Sequence, residues 1–266
     1  MTEYLKWNGA TLWQDDGSTP NYVLAAEKDL NGRVNTIETL GDRSQNLYRD
    51  TVSENRAYTV VIRIPLTAGQ TLTGLKAAWD RWHSRALGEK VLERETETGN
   101  VLQLDAVAET PQWDEEGPTH AQVTQVYTAA RPFWRSTSES NASANYNGAG
   151  PVNLACNNTG DLPSWARFVL DGAVEDPKIA YGDEWKIEFG IDLAAGDELA
   201  LICRTPASAW YTPAAGPAEP VYGYRTFASS FRKAKLATGN HNLVLTATAG
   251  AGLATAYWYN LYESLQ

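Results

Sequence analysis

The chain has 266 residues, 43% hydrophobic and 20% charged, enough for two domains with separate cores and unlike a pervasively disordered or fibrous composition. Its 22 basic residues face 32 acidic ones, for a formal net charge of −10, and no basic run exceeds that from Arg232 to Lys235, which argues against counterion-release binding to nucleic acid. Tyr and Trp (13 and 10) far outnumber Phe (5), and such rings with a polar handle suit half-exposed strands and interfaces.

Residues 1–6 show no basic region followed by an apolar stretch, and no uncharged apolar run approaches membrane-spanning length, so neither export nor a membrane span is expected. Trp7-Asn8-Gly9 and Asp15-Asp16-Gly17 read as hairpin turns between short strands. Residues 58–66 (YTVVIRIPL) form a β-branched strand, with Pro65 marking an end or an edge. In residues 72–87, Leu72, Leu75, Trp79, Trp82 and Ala86 recur at steps of three and four, opposite Lys76, Asp80, Arg81 and Arg85. This is one amphipathic helix, stopped by Gly88, and Trp79 and Trp82 are expected to be buried against a sheet. Strands follow at 91–94 and 101–107 around Thr98-Gly99-Asn100, and at 121–130 after the acidic loop 114–118, ending in Arg131-Pro132-Phe133-Trp134. Residues 1–135 are therefore read as a β-sheet domain carrying one helix.

Residues 136–150 (STSESNASANYNGAG) are almost wholly small and polar and read as a linker. Beyond it strands recur at 165–170, 185–189, 198–203, 243–248 and 254–262 with no helical periodicity, so residues 151–266 are expected to form an antiparallel β-sandwich. The stretch 206–220 holds prolines beside Trp210 and Tyr211 and reads as a long irregular loop. Those two rings are the candidate contacts for a partner or a glycan.

Catalytic motifs are missing from the sequence. It contains no Gly-x-Ser-x-Gly elbow, phosphate loop, dinucleotide fingerprint or His-Glu-x-x-His. His83, His120 and His241 are far apart, and the acidic pairs Asp15-Asp16, Glu115-Glu116 and Glu175-Asp176 sit at turns. Cys156 and Cys203 have no metal or redox spacing and read as buried side chains. No catalytic, cofactor-binding or metal-binding residue is expected, and the chain is read as a non-enzyme.

The order of parts carries a resemblance. Trp7-Asn8-Gly9 opens the chain, a strand, helix and hairpin lead to Arg131-Pro132-Phe133-Trp134, and the run PVNLACNNTGDLPSWARFVLDGAVEDPKIAY follows from Pro151 to Tyr181. Within and after it come the turn from Asn157 to Pro163, Gly172 to Pro177, Gly196-Asp197, and Gly239-Asn240-His241-Asn242-Leu243 before Ala256-Tyr257-Trp258-Tyr259. In this order the chain resembles the distal tail protein (Dit) family of long-tailed, non-contractile bacteriophages, a siphophage tail component. The resemblance implies a galectin-like second domain and a ring, usually a hexamer, formed through the first. It implies as partners the tail tube protein, the tail-tip hub protein and receptor-binding proteins. It also implies a place in the virion tail tip, with assembly in the host cytoplasm, and no catalytic residues. The Trp content and the 206–220 stretch depart from many members. A galectin-like fold also invites the alternative of a carbohydrate-binding protein recognising host-surface glycans. The lectin pattern His-x-Asn-x-Arg with Trp-x-x-Glu is nevertheless missing, leaving Trp210 and Tyr211 as stacking candidates.

Overall fold

The computed structural model describes residues 3–14, 23–34, 37–39, 46–48, 52–66, 69–96, 99–116, 120–131, 133–148, 150–204 and 206–263. The chain divides into two compact units, Met1–Thr137 with Tyr262–Gln266, and Ser138–Leu261. The expected turn at Asp15-Asp16-Gly17, and Thr98, Gly117, Pro118 and Pro132, lie outside the described residues.

In the first unit, β1 (Tyr4–Trp7) and β2 (Ala10–Gln14) form a hairpin over Asn8 and Gly9, both at positive φ (49° and 78°), as a two-residue turn matching strand twist requires. Next come β3 (Val23–Val34), β4 (Ile37–Thr39), β5 (Asn46–Tyr48), β6 (Val52–Pro65) and α1 (Leu72–Trp82). Then follow β7 (Lys90–Glu95), β8 (Val101–Ala108), β9 (Gln112–Glu116), β10 (His120–Ala129) and β11 (Trp134–Ser136). The sheet runs β2-β1-β7-β8-β10-β6-β3, with β9 on β10, β11 on β8, and β4 paired with β5. β6 ends at Pro65 as expected but starts at Val52, because its polar opening pairs with β3 (Val34↔Val52, Asn31↔Arg56) where no apolar alternation marks a strand.

The helix is shorter than its periodicity. Thr71 Oγ1 accepts the Gly74 amide (3.1 Å) at its start, and the His83 amide bonding back to Trp79 O (2.9 Å) closes it. Ser84 then takes the Ala86 amide, and a 3-10 turn (Arg85–Leu87) runs to Gly88 at φ 69°, so Ala86 is exposed and off the helix. Leu75 and Trp79 are buried as expected, whereas Trp82 is only half-buried. β10 turns Ala121, Val123, Gln125, Tyr127 and Ala129 inward. The polar member of that row is matched: Trp79 Nε1 donates to Gln125 Oε1 (3.1 Å), and Gln125 Nε2 donates to Glu109 O and Val126 O (2.7 and 3.1 Å). Arg94, also buried, is held by Glu3 and Glu27 (2.9 and 3.1 Å). The chain end belongs here too, since Tyr262 packs on this core and buried Arg56 donates to the Glu263 carbonyl.

The second unit comprises β12 (Ser140–Asn147), β13 (Val152–Asn158), β14 (Ser164–Trp165), β15 (Arg167–Glu175), β16 (Lys178–Tyr181), β17 (Trp185–Glu188) and β18 (Asp192–Leu193). It continues with β19 (Glu198–Ile202), β20 (Ser208–Thr212), β21 (Glu219–Pro220), β22 (Lys235–Leu236), β23 (Gly239–Thr246) and β24 (Ala249–Trp258). One antiparallel sheet runs β12-β24-β15-β19-β20-β21 with β18 on β15; the other runs β13-β23-β16-β17; β14 and β22 form a short pair. Phe168, Leu199, Ala254 and Trp258 of the first meet Leu154, Ile179, Ile187 and Leu243 of the second in one core, so the unit is an antiparallel sandwich.

Two expectations need correction. The segment 136–150 is not a linker: β12 pairs with β24 from Ser140↔Trp258 to Asn147↔Ala251. Its strand period is written in small residues, with Asn141, Ser143 and Asn145 exposed and Ala142, Ala144 and Tyr146 turned in. Tyr146 lies opposite Gly252 and donates to Asp171 O (3.2 Å); a Cβ at position 252 would stand 2.4 Å from its hydroxyl oxygen, so the glycine leaves room for the ring. The stretch 206–220 is not an irregular loop either. β20 and β21 form a hairpin, Trp210↔Pro220 and Tyr211↔Glu219, in which the prolines sit at the turn and on the outer strand.

Candidate functional site

The two singled-out rings alternate along β20, so the strand parts them. Trp210 is 40% exposed, while Tyr211 is half-buried, packs against the core and donates to Asp197 Oδ2 (2.8 Å). Asp197 also accepts the Ala194 amide on Oδ2 (2.8 Å) and the Ala214 amide on Oδ1 (2.9 Å). Bonds from Ala214, Ala194 and Tyr211 favour its charged form and hold its carboxyl below the usual range. The Gly196-Asp197 turn thus pins both the β18-β19 connection and the 208–220 hairpin, and Tyr211 belongs to that fastening.

The histidines are not gathered. His241, in the second unit, has Tyr181 Oη 2.7 Å from Nδ1 and Ala237 O 2.8 Å from Nε2, while His120 starts β10. His83 is buried in the first unit, stacked on Trp79 (4.3 Å between centroids), with Nδ1 3.1 Å from Trp79 O. Among the described residues no cluster of His, Cys, Asp or Glu is arranged to hold a metal. Both cysteines are buried, and burial pushes the Cys156 thiol up to about 11, far from a reactive thiolate.

His83 makes stability depend on pH. Burial lowers its pKa from 6.5 to about 4, opposed by its bond to Trp79 O. Between these values the unfolded chain binds a proton that the folded chain does not, so stability falls as pH drops from 6.5 towards 4. The full loss is about 3 kcal/mol, and above that window His83 contributes no slope. Unfolding measured across the window checks this: His83→Gln should flatten the profile, and an unchanged slope would assign it to other groups.

The sequence did not point to a groove in the second unit. It has a volume of about 350 Å³ and is lined by Asp176, Lys178, Glu188, Thr226, Thr246 and Thr248. Glu188 Oε1 lies 3.0 Å from Lys186 Nζ and 3.4 Å from Lys178 Nζ, and Oε2 accepts the Thr226 hydroxyl (3.0 Å). Bonds from Lys186, Thr226 and Lys178 together outweigh burial and lower the Glu188 pKa. Four separated segments supply these groups, so no local motif announces them.

No family model matches the sequence, and no curated protein matches it. Solved structures do. The chain superposes on SPP1 Dit (gp 19.1), described as a paradigm of the hub adsorption apparatus in phages infecting Gram-positive hosts, with a TM-score of 0.66 at 11% identity over 97% of this chain and 98% of that one. A chain of the phage P2 baseplate, in its activated conformation with Ca, matches with a TM-score of 0.54 at 9% identity over 100% of both. The chain therefore has a Dit-type, mainly β fold along almost its whole length.

Proposed function

We propose that this protein is a structural component of a phage tail tip, a Dit-type ring that joins the tail tube to the tail-tip hub and receptor-binding proteins. The observation that carries this reading is the fold match to SPP1 Dit across 97% of the chain, which takes in both units. In this reading the first unit carries the self-association surface, the ring is a hexamer, and the second unit is a docking platform for tail-tip partners. A closed ring is the assembly a tube adaptor needs, because a heterologous contact that closes presents the same rim to every partner. The protein performs no chemical step and works in the virion tail. Native mass spectrometry of the full chain tests the assignment. A closed oligomer of six 29.2 kDa protomers is expected, and a monomer at every concentration would sink it.

A further inference from the structure

We infer that the polar groove lined by Glu188 and Thr226 is a binding site for a neutral glycan. This goes beyond the tail-tip reading and does not depend on it. The groove's size suits a small ligand, about 350 Å³. Its charges balance. Asp176, Lys178 and Glu188 line it, and Lys186, not itself a lining residue, lies 3.0 Å from Glu188 as Lys178 lies 3.4 Å from it, so with Lys186 counted two cations meet two anions and no net field favours an ionic ligand. The lining itself is a mixed set of donors and acceptors, the Lys178 ammonium, the Asp176 and Glu188 carboxylates and the hydroxyls of Thr226, Thr246 and Thr248, with the Thr226 hydrogen given to Glu188. That mixture matches vicinal sugar hydroxyls, each of which donates and accepts.

Two exposed rings flank Thr226 in the chain. Phe227, next in the chain to Thr226, is fully exposed at 108%, and Tyr224 is 61% exposed. Their backbone is nevertheless fixed: the Gly190 amide donates to Tyr224 O (3.1 Å) and the Thr226 amide to Glu188 O (2.9 Å), with Arg225 bridged to Phe189. Rings on a pinned segment lose little further entropy on binding, and the apolar C–H face of a pyranose is the counterpart of an open ring face.

The test is saturation-transfer NMR on the full chain with glucose, galactose, N-acetylglucosamine, cellobiose, lactose and chitobiose, and with glycerol phosphate and sialic acid as charged comparators. At least one neutral sugar should bind. Phe227→Ala, at a fully exposed position that leaves folding intact, should weaken it about tenfold or more, and Glu188→Gln should weaken it with the fold retained at a slightly lower melting temperature; Trp210→Ala should leave it unchanged. Binding of the charged comparators alone, no binding at all, or binding indifferent to both Phe227→Ala and Glu188→Gln would overturn the inference. So would binding abolished by Trp210→Ala, which would place the sugar on the 208–220 hairpin.

Discussion

Trp79→Ala is expected to lower the stability of the first unit by about 3–5 kcal/mol, the range for emptying a Trp site in a core. The indole is 2% exposed, stacked on His83 and set edge-on to Trp82 and Trp113, so little can collapse into the space it leaves. The loss is also polar. Gln125 Oε1, at a fully buried position, forfeits the indole N–H as donor, and an unmatched buried acceptor adds its own penalty. Gln125→Leu in the Trp79→Ala background should therefore cost less than in the wild type, a coupling that a double-mutant cycle reads directly. Trp82→Ala should cost less than Trp79→Ala, because Trp82 is half-buried and its contact with Trp7 runs through its backbone carbonyl (3.4 Å). Hydrogen exchange in peptides of α1 and β10 measures the effect within this unit, which a global unfolding curve of a two-unit chain would blur. Unchanged protection with lost assembly would show instead that Trp79 serves an interface.

The strands that announced themselves were those whose inward row is large and apolar. In residues 58–66 and 121–130 the alternation of Tyr58, Val60, Ile62 and Ile64, or of Val123 and Tyr127, states both the strand and its buried face. The helix was legible for the same reason, but its end was not, since Trp82 and Ala86 keep the period while Ser84 diverts the backbone. β12 was hidden because its inward row is Ala142, Ala144 and Tyr146, and only the pairing with Gly252 shows that a small row suffices there. The 208–220 hairpin was hidden by its prolines, which lie at positions that owe no ladder bond. The Glu188 groove was out of reach altogether, because its members meet only after the sandwich has folded.

The turn from Asn157 to Pro163 carried part of the family resemblance, and the structure gives it a physical meaning that predicts the second large effect: Asn158→Ala should destabilise the second unit by about 3 kcal/mol, one net increment of about 1 kcal/mol for each of the two N–H groups donated, shared among three carbonyls, and for the one bond accepted. Asn158 is 1% exposed. Its Nδ2 lies within 3.0, 3.1 and 3.2 Å of the carbonyls of Leu162, Leu236 and Ala237, and its Oδ1 accepts the Gly160 amide (3.1 Å), so one side chain ties the end of β13 to the following turn and to β22. The turn has no slack. A Cβ at Gly160 would meet Leu261 O at 2.4 Å, and the Asp161 amide bonds that same oxygen (2.8 Å). Asn260 secures the other flank, accepting the Thr159 amide (3.1 Å) and the Trp258 indole (3.2 Å) and donating to Ser140 (3.1 Å). Asn158→Asp, which keeps the shape but removes the donors and sets a carboxylate against buried carbonyls, should cost at least as much. Asn157→Ala, one position away on the exposed side of β13, should cost almost nothing. Urea unfolding followed by hydrogen exchange in β13 peptides separates the two positions. A loss below about 1 kcal/mol at Asn158 would mean that water replaces its bonds and that the corner is held by backbone contacts alone.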